Sequence, residues 1–488
     1  MLIAGPWTAL ADTAEGMNER AVWPPGTLSP GDEARFGQYA AAMAFYGGNQ
    51  WATPSRRGST HLTFNYARTL LRKNSSYVFP AAVAFSIASA GEMETSQPTE
   101  RTAQAAARAA AQDTANRAER ILAATVQDLD LARLDLSLAL DASILGDAAI
   151  KVTWDERGHR PRVMAVDPAT LVVHTAPDDP REIQQVTQAY GLTGHQISTM
   201  IPELTDGDIP GFDLDKTRGY PVVETWTSAH WQMTVAGHLL RDEANPYGWI
   251  PYVIATNDPR PFAFWGQSDL VDLVDVCMEL NQRMTVLSRI LELSGAPIAV
   301  LENVDGSEGI TVGPGAKWEL PEGAKAYLLD LLQGGGTEAH VTYIDLLFRS
   351  LHDLSETPRT AFGGSGRDLS GAALEVEIQP LVQKVGRKRR MWDAFFARRN
   401  ALILDLLERF GHEDLGGLRQ TTTIWPPVLP SDTDNAIRNA VALVNGGIRS
   451  RRTAIAHLGS TDPDAEMARI AEETGTLHIP PSPPLPPS

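Results

Sequence analysis

The sequence predicts an α+β protein built for a large assembly, and three observations carry that reading. A helical pattern runs from about Thr99 to Leu145. Short strand-like runs fill residues 149–255. A second helical pattern spans 371–410, on the order of 60 Å at 1.5 Å per residue, too long for one small core. The 488 residues, 43% hydrophobic and 21% charged, are ordinary for a globular chain of roughly two to four folding units.

Residues 1–35 are rich in Pro and Gly (Trp23-Pro24-Pro25-Gly26, Ser29-Pro30-Gly31) and read as an irregular arm. A short helix is expected at 32–46, ending at Gly47-Gly48, and 65–89 is mixed. In 99–145, alanine favours helix. Leu122, Val126, Leu129, Leu136 and Leu140 share a face, and Gly146 is the expected stop. Ala149–Trp154 and Arg162–Val166 read as a hairpin around Asp155-Glu156-Arg157-Gly158. Strands are expected at 171–175, 183–190, 222–227, 231–236 and 251–255.

Leu270, Leu273, Cys277, Leu280, Met284, Leu287 and Leu291 repeat in steps of three and four, a heptad seam over 267–293. It suits either a buried core helix or a helix packing between subunits. Gly295-Ala296-Pro297 stops it. Short β runs broken by Gly and Pro fill 296–335, with Trp318 as an expected buried anchor. A return helix is expected at 338–354. A polar, Gly-rich loop spans 355–370. Pro380 sits inside the 371–410 pattern and predicts a kink. Two or three small helices are expected over 433–475, and Pro480–Ser488 reads as a Pro-rich tail.

Several chemistries lack their residues. There is no Gly-x-x-x-x-Gly-Lys-Ser/Thr phosphate loop. Gly363-Gly364-Ser365-Gly366 precedes a helix but has no lysine, and Arg367 stands where a nucleophile elbow needs glycine. The eleven His are scattered, and with one cysteine, Cys277, no zinc pattern or intramolecular disulfide arises. Asp178-Asp179 reads as a solvated turn. No cofactor and no catalytic residue is expected. No run of about 18 apolar residues is present, so no membrane partner is expected, and Met1–Glu19 does not read as a secretory signal. These features point to synthesis in a reducing cytoplasm. The net charge of −18 argues against a regulator that grips phosphates. Lys384, Arg387, Lys388, Arg389 and Arg390 form the main basic run. It reads either as a solvated face with salt bridges or as a phosphate or subunit contact.

The order of certain short motifs resembles phage portal proteins, in particular those of tailed phages infecting actinobacteria. They are Phe45-Tyr46-Gly47-Gly48-Asn49-Gln50, Gly146-Asp147-Ala148-Ala149-Ile150-Lys151-Val152, Val166-Asp167-Pro168 and Asn245-Pro246-Tyr247-Gly248. Phe264-Trp265-Gly266-Gln267-Ser268-Asp269-Leu270, Glu279-Leu280-Asn281-Gln282-Arg283, Ser370-Gly371-Ala372-Ala373-Leu374 and Pro380-Leu381 follow. No single motif is specific; their order over about 400 residues carries the resemblance.

The resemblance implies an N-terminal arm (1–40), a wing (41–265), a first stem helix (266–294), a clip (295–336) and a second stem helix (337–354). A tunnel loop (355–370), a long kinked helix (371–410), a crown-like helical region (411–475) and a tail (476–488) would follow. It implies a non-enzymatic ring, twelve-fold in the virion, at one capsid vertex, assembled in the host cytoplasm. Double-stranded DNA would pass through it during packaging and ejection, without sequence specificity. The implied partners are the terminase large subunit, the head-completion adaptor and the major capsid and scaffolding proteins. Twelve chains at −18 each, about −216 in all, suit a conduit that DNA must not adhere to. Arg359, Gly363, Gly364, Ser365, Gly366 and Arg367 would line the tunnel loop. Leu270, Leu273, Leu280, Leu287 and Trp318 would pack between subunits. Another virion structural protein, a minor head protein or adaptor, is the alternative; a packaging enzyme fits less well.

Overall fold

The computed structural model describes residues 23, 28–51, 61–88, 98–201, 217–295, 298–303, 322–329, 336–363, 371–429, 433–458, 466–467 and 469–470. It is an α+β chain that divides into two compact units. One comprises 1–19, 30–71 and 268–381; the other comprises 20–29, 72–267 and 382–488. Residues 41–71 thus group with 268–381 and not with the segment the sequence assigns to the wing, because strand and helix partners, and not chain order, define each core.

In the second unit the expected single helix over 99–145 is two: α3 (Pro98–Asp128) and α4 (Leu131–Leu145). The break is at Asp130, in the left-handed region at φ 49°, which a short polar side chain tolerates better than most. Helix α4 buries Leu131, Leu138 and Ala142. Gly146, at φ 99°, ends α4 by donating its N–H to Ala142 O, the left-handed stop expected of glycine.

The chain then enters β2 (Asp147–Asp155) and turns into β3 (Arg160–Val166). With β9 (Tyr252–Thr256) they form an antiparallel sheet of order β3-β2-β9. Central β2 is buried over its first six residues, including the charged Asp147 and Lys151, whose side chains are hydrogen-bonded within the fold. A five-stranded antiparallel meander runs through β4 (Leu171–Thr175), β5 (Ile183–Thr193), β6 (Gly219–Thr227), β7 (His230–Val235) and β8 (His238–Ala244). Helix α5 (Gly194–Met200) starts with a reciprocal Thr193/Gln196 capping box. It packs Ile197 with Tyr220, Val222, Met233 and Val235.

A buried ion pair, Lys151 of β2 with Glu224 of β6, joins the two sheets. Tyr190 Oη and Trp226 Nε1 also donate to Glu224. Burial alone would raise the Glu224 carboxyl. The Lys151 charge and the three donors override it and hold the group below the ordinary carboxylate range. Two short ladders complete this unit: β1 (Ala84–Ser86) with β14 (Thr422–Ile424), and β10 (Asp258–Pro259) with β11 (Gly266–Gln267).

The first unit holds α1 (Pro30–Gly47), α6 (Val274–Gly295), the hairpin β12 (Ile298–Glu302)/β13 (Lys325–Leu329) and α7 (Gly336–Leu354). Helix α1 begins at Pro30, within the segment read from the sequence as an irregular arm. Helix α6 begins at Val274 and not at 267; Leu270 and Leu273 lie in turns before it. The division between units falls inside α2 (Tyr66–Val78) and inside α8 (Gly371–Arg409). The small helices α9 (Thr433–Asn445) and α10 (Arg451–His457) follow, and residues 466–467 and 469–470 are helical too.

Candidate functional site

The helix pair α6/α7, the turns before it and the turn after it hold Leu270, Leu273, Leu280, Leu287, Arg359 and Gly363. Leu270, Leu273, Cys277 and Leu280 are fully buried within the one chain, so the first half of the seam needs no neighbouring subunit to leave water. Farther along, Leu287 is half-buried and Leu291 is 54% exposed. Burial pushes the Cys277 thiol up to about 12, despite a hydrogen bond with the Ala67 backbone, so it is no nucleophile at neutral pH.

The sequence reading passed over the polar face of the same helix. Asn281, fully buried, donates to Gln50 Oε1 at 2.8 Å and accepts from the Phe64 N–H at 2.8 Å. Thr285 Oγ1 accepts from the Leu62 N–H at 3.1 Å. Gln50 in turn donates to Asn65 Oδ1 and Phe45 O. Two of the motifs that carry the resemblance, one ending in Gln50 and one containing Asn281, therefore meet in one buried network. The only sequence signal was the presence of an amide in each motif. On the outer face Arg283 donates to Glu279, which also accepts from Tyr343 Oη of α7.

The hairpin β12/β13 pairs Ile298 through Glu302 with Leu329 through Lys325. Trp318, between its strands, lies outside the described residues. After α7, His352 Nδ1 lies 2.7 Å from Thr357 O, and a 3-10 turn spans Arg359–Phe362. Gly363 closes it at φ 79° with its N–H on Thr360 O, a conformation glycine adopts without penalty. Arg359 is exposed. Its charge partly offsets the effect of burial, which raises the Tyr66 phenol. Tyr66 itself stacks edge-on against Phe348 at 4.5 Å. Gly364, Ser365, Gly366 and Arg367 lie outside the described residues.

The basic run on α8 splits by helix face. Lys388 is buried and donates to Asn257 Oδ1 at 2.5 Å. The ammonium faces the interior of its unit. Arg389 is also buried, donating to Val78 O and Pro426 O over the Trp425 ring. Burial depresses the Arg389 guanidinium to about 10, partly countered by Asp393. Arg387 and Arg390 are exposed and Lys384 is half-buried. Pro380 lies inside α8, which continues on both sides of it.

Asp178 and Asp179 sit in the exposed turn between β4 and β5, where Asp179 accepts from the Arg181 N–H at 2.9 Å. Among the described residues no cluster of His, Cys, Asp and Glu could hold a metal ion. None of their helices is long and apolar enough to cross a membrane. Residues 322–477, from β13 through α7 and α8 to the small helices, match the family model described as phage portal protein, SPP1 Gp6-like. That match bears out the resemblance to tailed-phage portal proteins. No curated protein matches the chain.

Proposed function

We propose that the chain is one subunit of a portal ring at a capsid vertex, through which double-stranded DNA is packaged and later ejected. The family match over 322–477 is the observation that carries this. It covers the helix pair's second member, the long helix and the region beyond it. In this reading α6 and α7 are the stem, and β12/β13 belongs to the clip that docks the terminase and then the head-completion adaptor. The turn holding Arg359 and Gly363 begins the tunnel loop. The half-exposed end of the seam at Leu287 and Leu291 supplies the subunit contact. Of the basic run, the exposed Arg387 and Arg390 and the half-buried Lys384 are the residues that meet phosphate or a neighbouring subunit, and Lys388 is not. The ring is twelve-fold in the virion and has no catalytic step of its own.

The test is complementation of a phage lacking its own copy of this gene. The chain should restore heads filled with DNA. Replacing Arg359 and Arg367 with Ala should lower packaging rate or DNA retention, because few weak phosphate contacts per subunit keep sliding reversible. Filled heads without the chain would contradict the portal assignment. Unchanged packaging in the double variant would remove the arginines' role and leave the ring intact.

A further inference from the structure

The two edges of the sheet β3-β2-β9 differ in chemistry. β3 carries Arg160, Pro161 and Arg162, the charges and proline that keep an edge from accepting another strand. β9 reads Tyr-Val-Ile-Ala-Thr, with neither. The β2/β9 ladder fixes where its backbone groups point. Val152 N–H donates to Pro251 O and Asn257 N–H to Gly146 O, both at 2.8 Å. Because hydrogen-bonded pairs alternate in an antiparallel ladder, Val253 and Ala255 face β2. Tyr252 and Ile254 turn their N–H and C=O groups outward, and among the described residues no backbone or side chain pairs with those groups.

What they face is a groove of about 670 Å³ that runs along all five residues of β9. Its walls include Trp249, Phe264, Met391 and Phe395. Arg181, Glu182 and Arg398 stand at its lining too, all exposed; Arg181 pairs with Asp179, so Arg398 is the cation set to meet a partner's carboxylate. An unpaired strand edge lining an apolar trough can pair there with water only, and an added strand would supply its backbone partners in place of that water.

We propose that this groove is a docking site for an extended strand of a partner polypeptide, added to β9 by backbone pairing. The strand would carry apolar side chains at alternate positions and a carboxylate beside the run to meet Arg398. The proposal is independent of the portal reading.

The test uses the full chain and a fluorescein-labelled peptide, Glu-Val-Thr-Val-Thr-Val-Ser, followed by anisotropy and by amide hydrogen exchange. Ile254→Pro removes an outward N–H and no β2/β9 bond; Ala394→Arg fills the groove from an exposed position of α8. Saturable binding is expected, weakened roughly tenfold or more by each variant. The peptide should slow exchange at Tyr252 and Ile254, while Val253 and Ala255 are slow throughout, in Ile254→Pro as well. No saturable binding, or equal binding to Ala394→Arg, would overturn the proposal. So would Tyr252 and Ile254 amides already slow without peptide. Slowing that depends on protein concentration would then assign the groove to a second copy, and slowing that does not would assign it to the chain's own segment.

Discussion

Arg399 Nη1 donates to Asp135 Oδ1 at 2.6 Å, with the guanidinium wholly buried and the carboxylate 6% exposed. The pair ties α8 to α4 inside one unit, and the guanidinium also lies over the Phe396 ring at 4.7 Å. Removing one partner of such a pair leaves a charge without compensation. Asp135→Ala should therefore destabilise the chain by about 3–5 kcal/mol. Asp135→Leu with Arg399→Met should recover most of that loss. Urea unfolding followed by circular dichroism reads both, and a double variant no better than the single would show that the ion pair is not what the site needs.

The basic run of α8 should separate into structural and contact residues. Lys388→Ala strands Asn257 and should cost about 1–3 kcal/mol. Arg387→Ala and Arg390→Ala should stay within about 0.5 kcal/mol of the parent, as exposed substitutions do. Thermal unfolding of the three variants decides it. Equal losses at all three positions would mean that the face assignment is wrong.

Much of this division was legible in the sequence, and the exceptions have physical causes. The helices at 336–354 and 371–409 and the β2/β3 hairpin follow their apolar periodicities closely. Helix α2 did not, because Asn74 and Ser75 are buried where periodicity asks for apolar residues. Strand β8 escaped notice because it is an edge: His238-Leu239-Leu240-Arg241-Asp242-Glu243 does not alternate, and a bulge at Met233/Thr234 opposes it. The heptad seam showed that one face of α6 is buried, but Leu spacing is the same whether the covering surface is the chain's own or a neighbour's. Composition likewise could not say which arginine of 387–390 points inward; that is set by Tyr77, Val78 and Pro426, remote in sequence.

Asp141 gives the fold a pH dependence of definite sign. Burial, and then the nearby Asp167 carboxylate, raise its pKa to about 6. The folded state therefore holds this proton where the unfolded chain, with an ordinary aspartate near 3.9, has released it. Its contribution to stability is full below about pH 4 and is lost as pH rises to 6 and beyond. Asp141→Asn should remove that slope between pH 4 and 6.5. Unfolding midpoints across the window check this, and a slope unchanged in the variant would place the proton elsewhere.

The central claim is that this chain closes into a ring. Light scattering coupled to size exclusion, with negative-stain images of the same fraction, measures it most directly. A discrete species of many times the 52.9 kDa chain mass is expected, shaped as a ring with a central hole. A chain that stays at 52.9 kDa at high concentration, or that forms only open aggregates, would contradict it.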